Sequence, residues 1–292
     1  MEAASSLPLL SLDNGRLRIE ATGATDVGRR RSRNEDSLGL REDAYNARAA
    51  AQGYLFAVAD GMGGAEKGDV ASRLAIESLF ETYYARDEDA APDLRPADAL
   101  RASFNAANSL VHGESMKLES GMMGTTLVAC TIVGDLAIVG NVGDSRAYII
   151  RGDTLRQISD DHSFVNEQFK AGVLSAEEAR TSPQRNIITR AVGHQPRVQT
   201  DQFQVGPLQA GDLLLLCSDG LHGMVSDDDL LRIAQQPDLR QAAQDYIDAA
   251  NGNGGLDNIT CLLVRVVERH DTESASSSAD EDTERDTPSP IS

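Results

Sequence analysis

The sequence predicts a layered α+β fold, with sheets packed together and helices outside, on three observations. Strand-like apolar runs come first, and from about residue 66 to 117 the apolar spacing turns helical. Strands return after 124, helices return after 226, and a last apolar run closes the pattern. Hydrophobic residues make up 40% of the 292, enough for a substantial core. Length alone would allow about two domains, but sandwiches of this size also fold as one.

Residues 1–15 read as a flexible leader, and RLRIEATGAT at 16–25 as the first strand. A loop with Arg29, Arg30, Arg31 and Arg33 follows, then strands at 37–40 and 54–59. Val70, Leu74, Ile76, Leu79 and Phe80 mark one helix, and Leu100, Phe104, Ala107, Leu110 and Val111 another, with Pro92 and Pro96 as breaks. From 124 to 158 the chain reads as a meander with tight turns at Gly134-Asp135 and Gly152-Asp153. The tripeptide at 151–153 is one of these turns, not an adhesion motif. Residues 160–195 are polar and interrupted, the pattern of a flap. Strands at 198–205 and 212–217, helices at 226–234 and 238–251, and a strand ending at 267 complete a catalytic domain over 16–267. Residues 268–292 hold eight acidic positions and no large apolar residue before Ile291, so an acidic disordered tail is expected.

A formal charge of −19 excludes nucleic acid as a partner and disfavours an anionic membrane surface. A phosphorylated substrate must then be drawn in locally. No apolar run approaches the roughly 20 residues of a membrane span, and the N-terminus does not read as a signal peptide. A soluble, cytoplasmic monomer is expected. Cys130, Cys217 and Cys261 lie in separate apolar runs, which fits buried reduced thiols rather than a disulfide framework or a zinc knuckle. None has an Arg six residues on, so a cysteine-based phosphatase loop is absent.

The chemistry lies in RSRNED at 31–36, VADGMGG at 58–64, NVGDSR at 141–146, CSDG at 217–220 and GLDNIT at 255–260. Apolar runs end in Asp60, Asp144 and Asp219, and Asp257 opens the last strand. One Asp-Gly is only a turn signal. Several such carboxylates at one mouth repel one another unless a hard cation sits between them. Oxygen ligands favour Mg²⁺ or Mn²⁺, which can orient and acidify water for in-line attack. The five histidines show no metal-ligand spacing, and no GxxxxGK[ST] occurs. Arg31, four residues before Glu35, offers a guanidinium for phosphate.

These fragments, with GTT at 124–126, DHS at 161–163 and QRNIITRAVG at 184–193, resemble the metal-dependent type-2C Ser/Thr protein phosphatase family in its bacterial form, over about residues 20–267. The resemblance implies a four-layer α-β-β-α sandwich of two packed antiparallel sheets, with a flap at about 160–195. It implies Arg31 as the phosphate-binding arginine and Glu35, with its neighbour Asp36, ordering water at a second metal. It further implies Asp60 bridging two Mn²⁺ or Mg²⁺ ions, the Gly61 carbonyl as a ligand, and Asp219 and Asp257 completing the first site. Asp144 would serve a third, weaker ion. The implied reaction is hydrolysis of phosphoserine and phosphothreonine by a metal-bridging water, without a phosphoenzyme. The implied partners are phosphoproteins and a cognate bacterial Ser/Thr kinase.

Two positions depart from the family. Some members carry a His, proposed as proton donor, where Met62 stands here, and bacterial relatives often have His-Pro where this chain has Ser182-Pro183. Met62 cannot donate a proton, so a metal-bound water must. A phosphoprotein-binding pseudoenzyme is the alternative of a different class, disfavoured by intact Asp60, Asp219 and Asp257. A stress-response phosphatase acting on an anti-sigma antagonist would want sensor segments, and none is visible.

Overall fold

The computed structural model describes residues 4–63, 67–85, 95–119 and 122–269. The chain begins with β1 (Ser5–Ser6), β2 (Leu10–Asp13), β3 (Leu17–Asp26), β4 (Asp36–Gly39), α1 (Ala47–Gln52) and β5 (Tyr54–Met62). Two long helices follow, α2 (Gly68–Tyr83) and α3 (Pro96–Ser115), then β6 (Gly124–Thr125), β7 (Leu127–Val133), β8 (Leu136–Val142), β9 (Arg146–Arg151) and β10 (Thr154–Gln157). Helices α4 (Phe164–Lys170) and α5 (Ala176–Thr181) lie in the segment read as a flap. The chain closes with β11 (Asp201–Val205), β12 (Leu213–Cys217), α6 (Asp219–His222), α7 (Asp227–Ala234), α8 (Leu239–Gly252) and β13 (Ile259–Arg269).

One sheet has the order β1-β3-β13-β12-β9-β10 with β2 also on β3; the other runs β11-β8-β7-β5-β4 with β6 on β5. Every pairing is antiparallel. Alternate residues of each strand face the partner sheet: Ile19, Leu214, Leu216 and Val264 meet Phe56, Val58, Val128 and Val139. The opposite faces are also covered. Leu215, Cys217, Cys261 and Leu263 pack under Leu230, Tyr246 and Ile247, while Leu55, Ala57 and Ala129 pack under Leu79, Phe80 and Phe104. Strands buried on both faces have no polar side, which is why LLLLC and LFAVA are unbroken apolar runs. The result is the expected four-layer α-β-β-α sandwich.

The structure corrects several expectations. The leader is paired: Leu10–Asp13 runs along Leu17-side β3, with Leu10↔Ala21 and Leu12↔Ile19 in register, and Leu12 packs on the inter-sheet core. Pro96 starts α3 rather than breaking a helix, because its missing N–H falls where no intrahelical partner exists. Glu268 and Arg269, expected to open the acidic tail over 268–292, instead extend β13 and pair with Arg18 and Leu17; the rest of that tail, from 270, lies outside the described residues, as does Pro92. The 124–158 meander is split between sheets. β7–β8 and β9–β10 are hairpins of opposite sheets, and the chain crosses from one to the other at Gly143-Asp144-Ser145. The one-turn helix α6 was not foreseen.

Candidate active site

Five chain crossings end at one mouth of the sandwich. β4 opens with Asp36 directly opposite Asp60 near the end of β5. In the other sheet β12 ends in Cys217, opposite Cys261 of β13, so Asp219 and Asp257 sit just beyond the same end. The Asp144 crossing between sheets comes in beside them.

Each carboxylate is held from behind. The Asp60 N–H donates to Thr126 Oγ1 at 2.9 Å, and its carbonyl accepts from Thr126 N–H and the Thr125 hydroxyl, both at 2.8 Å. Ser218 Oγ donates to Asp36 Oδ2 at 2.8 Å and accepts from Thr260 N–H at 3.0 Å, joining the two sheets. His222 Nε2–H donates to the Asp144 carbonyl at 3.0 Å. Asn258 binds the RSRNED loop: its Oδ1 accepts Glu35 N–H at 2.8 Å, and its Nδ2 donates to the carbonyls of Val27 and Arg33. Glu35 accepts from the backbone of Gly68, the first residue of α2, where the helix N-terminus favours negative charge.

Three carboxylate oxygens of this set are not satisfied. Asp36 Oδ1, Asp144 Oδ1 and Asp219 Oδ1 are buried without a hydrogen-bond partner. Burial first, then repulsion from neighbouring carboxylates, pushes Asp36 up to about 7 and Asp144 up to about 8. Asp219 rises to about 6 from burial and Asp257, with a hydrogen bond from Asp60 working against the rise. Burial and four acidic neighbours, Asp36, Asp219, Asp144 and Asp257, lift Asp60 well above the carboxylate range. Such a set is costly in its charged form without a cation.

The donor set fits a hard divalent ion: all oxygen, buried, mutually repelling and partly unpartnered. Among the described residues no three acidic, His or Cys side chains close on a single point. The fit therefore rests on those orphaned oxygens and their shared field. Backbone packing supports it: a Cβ at Gly61 would lie 2.0 Å from Gly68 O, so only glycine lets this end of β5 bring its carbonyl to the mouth.

Arg31 is exposed and anchored, its Nη2 donating to Asp257 Oδ2 at 2.6 Å. Met62 pairs with Gly124 on β6 and brings no titratable group. Ser182 caps the end of α5 in extended geometry.

The protein phosphatase 2C family model matches residues 28–263, the stretch that carries every one of these side chains. The chain belongs to the protein phosphatase 2C family. It is 39% identical over 250 residues to the serine/threonine phosphatase stp of Listeria welshimeri, covering 84% of this chain and 95% of the relative. The Mycobacterium tuberculosis phosphatase PstP/Ppp superposes with a TM-score of 0.74 at 34% identity, over 86% of this chain and 99% of that one. A structure of the PstP catalytic domain in complex with two manganese ions gives a TM-score of 0.69 at 34% identity, again over 86% and 99%. The protein is a Ser/Thr protein phosphatase of the type-2C fold, in a family that depends on Mn²⁺ or Mg²⁺.

For this phosphatase, the side chains that sequence reading missed are the supports rather than the acids. Ser218, Asn258 and Thr126 carried signals only as letters within the CSDG, DNIT and GTT motifs. Arg185, on the flap, was likewise quoted without a role; its charge works against the burial-driven rise of the Asp219 carboxyl.

Proposed function

We propose that this phosphatase binds its cations through Asp60, the Gly61 carbonyl, Asp219 and Asp257, with Glu35 and Asp36 serving a second ion and Asp144 a third. The observation that carries the reading is the set of buried, unpartnered oxygens on Asp36, Asp144 and Asp219 beside an exposed arginine. Bound Mn²⁺ or Mg²⁺ would supply Lewis-acid stabilisation of the phosphoryl oxygens and make water a better nucleophile at neutral pH. The chain's own residues do the rest. Arg31 takes phosphoryl oxygens through a planar, permanently charged fork and orients the ester for in-line displacement. Thr125, Thr126, Ser218 and Asn258 fix the carboxylates so that little reorganisation accompanies reaction. Met62 gives the leaving alkoxide no proton, so that proton comes from water.

The substrates are phosphoserine and phosphothreonine proteins, among them a cognate Ser/Thr kinase whose marks the enzyme erases. Residence in the cytoplasm as a monomer completes the proposal. Among the described residues no helix is long and apolar enough to cross a membrane, which is compatible with that placement.

The test is phosphate release from a phosphothreonine peptide with Mn²⁺, with EDTA, and by Asp219→Asn. Turnover with Mn²⁺ alone, and a loss of about 10²-fold or more in both controls, is expected. A folded, Mn²⁺-loaded protein that releases no phosphate would sink the proposal and leave a phosphoprotein-binding role on the same fold.

A further inference from the structure

His162, which the mechanism above does not use, sits where four parts of the chain meet. It opens the flap segment, two residues before α4, and is 7% exposed. Its backbone N–H donates to the Gly143 carbonyl at 2.9 Å, and its Nδ1 accepts the Gly143 N–H at 3.0 Å. One residue therefore meets both backbone polar groups of Gly143, the residue just before Asp144. Its own carbonyl accepts from Thr189 N–H at 2.8 Å, on the returning limb of the flap, and Phe164 N–H donates to Ile187 O at 2.8 Å alongside. Nε2 reaches Asp201 Oδ2 at 3.1 Å, at the head of β11, where Asp201 stands opposite Asn141. Arg190, also on the returning limb, holds the other Asp201 oxygen at 2.7 Å.

These partners dictate the ring's state. A backbone N–H can only donate, so Nδ1 must be bare, and Nε2 must carry the proton that Asp201 accepts. The imidazole is neutral, in one tautomer. The Gly143 carbonyl also accepts from Asn141 Nδ2 at 3.2 Å, while its N–H goes to His162; its φ is +109°, and a Cβ there would lie 2.6 Å from Thr126. Beyond it, His222 holds the Asp144 carbonyl and Thr126 Oγ1 meets Ser145 Oγ at 2.7 Å. The backbone on both sides of Asp144 is thus clamped, while its Oδ1 has no partner.

We infer that His162 is a positioning residue that locks the Asp144 crossing and both limbs of the flap into one unit, so that flap placement sets the cation affinity at Asp144. The inference rests on the proposed role of Asp144 in binding a third ion. It assigns His162 no contact with substrate. Asp201 is the anchor that fixes the tautomer, and Arg190 ties the flap's exit to the same anchor.

Two variants divide the ring's bonds. His162→Asn places an acceptor where Nδ1 stands and keeps the Gly143 bond; His162→Gln reaches toward Asp201 and gives the Gly143 bond up. Hydrogen exchange is followed at Gly143, Phe164 and Thr189 in the full chain, and Mn²⁺ binding alone is followed by calorimetry, with Asp144→Asn identifying the step that belongs to Asp144. His162→Gln is expected to weaken that step by about tenfold or more and to release all three amides together. His162→Asn should keep the affinity within about threefold of wild type. Equal effects of the two variants on Mn²⁺, or no binding step that responds to Asp144→Asn, would overturn the inference. Wild-type exchange decides the matter even if both variants unfold: a single unit opens with one protection factor at Gly143, Phe164 and Thr189, and clearly unequal values reject it. Loss of phosphatase turnover in wild type would count against the proposed function, whereas these readouts need no turnover.

Discussion

Arg31 and Asp257 hold each other at 2.6 Å while the arginine side chain is half exposed. An exposed pair of this kind contributes only about 0–1 kcal/mol to folding, so its geometry bears on binding rather than on stability. In the role proposed for it the same guanidinium serves a phosphoryl group, and anything that neutralises Asp257 loosens its present partner. A cation on Asp257 and a phosphate on Arg31 therefore favour each other. Arg31→Ala should lose a charge-assisted contact of about 1.5–3 kcal/mol, a fall of roughly 10- to 150-fold in kcat/KM on a phosphopeptide. The melting temperature should barely move. Arg31→Lys should recover little, because a point charge lacks the planar two-pronged match to phosphate. Full recovery by lysine, read in the same kinetic assay, would show that charge alone suffices.

At the scale of elements, α6 and β5 meet the mouth through glycines whose neighbours leave no room. A Cβ at Gly220 would stand 1.9 Å from Asn258 O, and the corresponding contact at Gly61 is 2.0 Å. Gly220→Ala should push α6 away from the Asp257 loop, costing about 1–3 kcal/mol and weakening Mn²⁺ binding with it. Gly113→Ala is the opposite case: it lies exposed within α3 with nothing within 4 Å of its added methyl, and should gain about 0.5–1 kcal/mol. Thermal melts of the two variants check both signs. This level also shows what the sequence could reveal. Doubly buried strands read clearly because both faces are apolar, and Asp60, Asp144 and Asp219 stood out because each ends such a run. Within the 124–158 stretch the dipeptide Gly-Asp, however, occurs three times, at 134–135, 143–144 and 152–153. Two of these are hairpin turns within a sheet, and the middle one carries the chain between sheets; the φ values of +56°, +109° and +54° record that difference. Tertiary packing of Gly143 against Thr126 made the choice, and no local pattern announces it. Asn258 escaped for a similar reason: its partner Glu35 is 223 residues away in sequence. Leu10 and Leu12 alternate too briefly to mark β2 before β3 is present to pair with it.

For the molecule as a whole, the acidic mouth sets how stability responds to pH and to cations. An aspartate titrates near 3.9 in an unfolded chain, whereas Asp219, Asp36 and Asp144 are raised to about 6, 7 and 8 in the fold. Because the folded state holds these protons more tightly, their contribution is complete below about pH 4 and is lost as pH rises through 6 to 8. His162 and His222 act in the other direction, burial lowering both and carrying His222 down to about 3. Their unfolded value is near 6.5, so their contribution is already complete above that pH. Between about pH 6.5 and 8.5 the carboxylates therefore set the slope, and metal-free protein should melt at progressively lower temperature. The net charge of −19 adds general repulsion of the same sign, but added salt screens exposed charges far more than this buried set. The slope should survive in high salt and flatten in Asp60→Asn, which removes the carboxylate at the centre of the cluster. Mn²⁺ replaces the missing protons. At about 100 times its dissociation constant it should stabilise by about 2.7 kcal/mol, and by more at pH 8.5 than at pH 6.5, where protons compete. Melts in EDTA and in Mn²⁺ across that range test the point: a metal-free melting temperature that rises with pH would show that the carboxylates do not share one field.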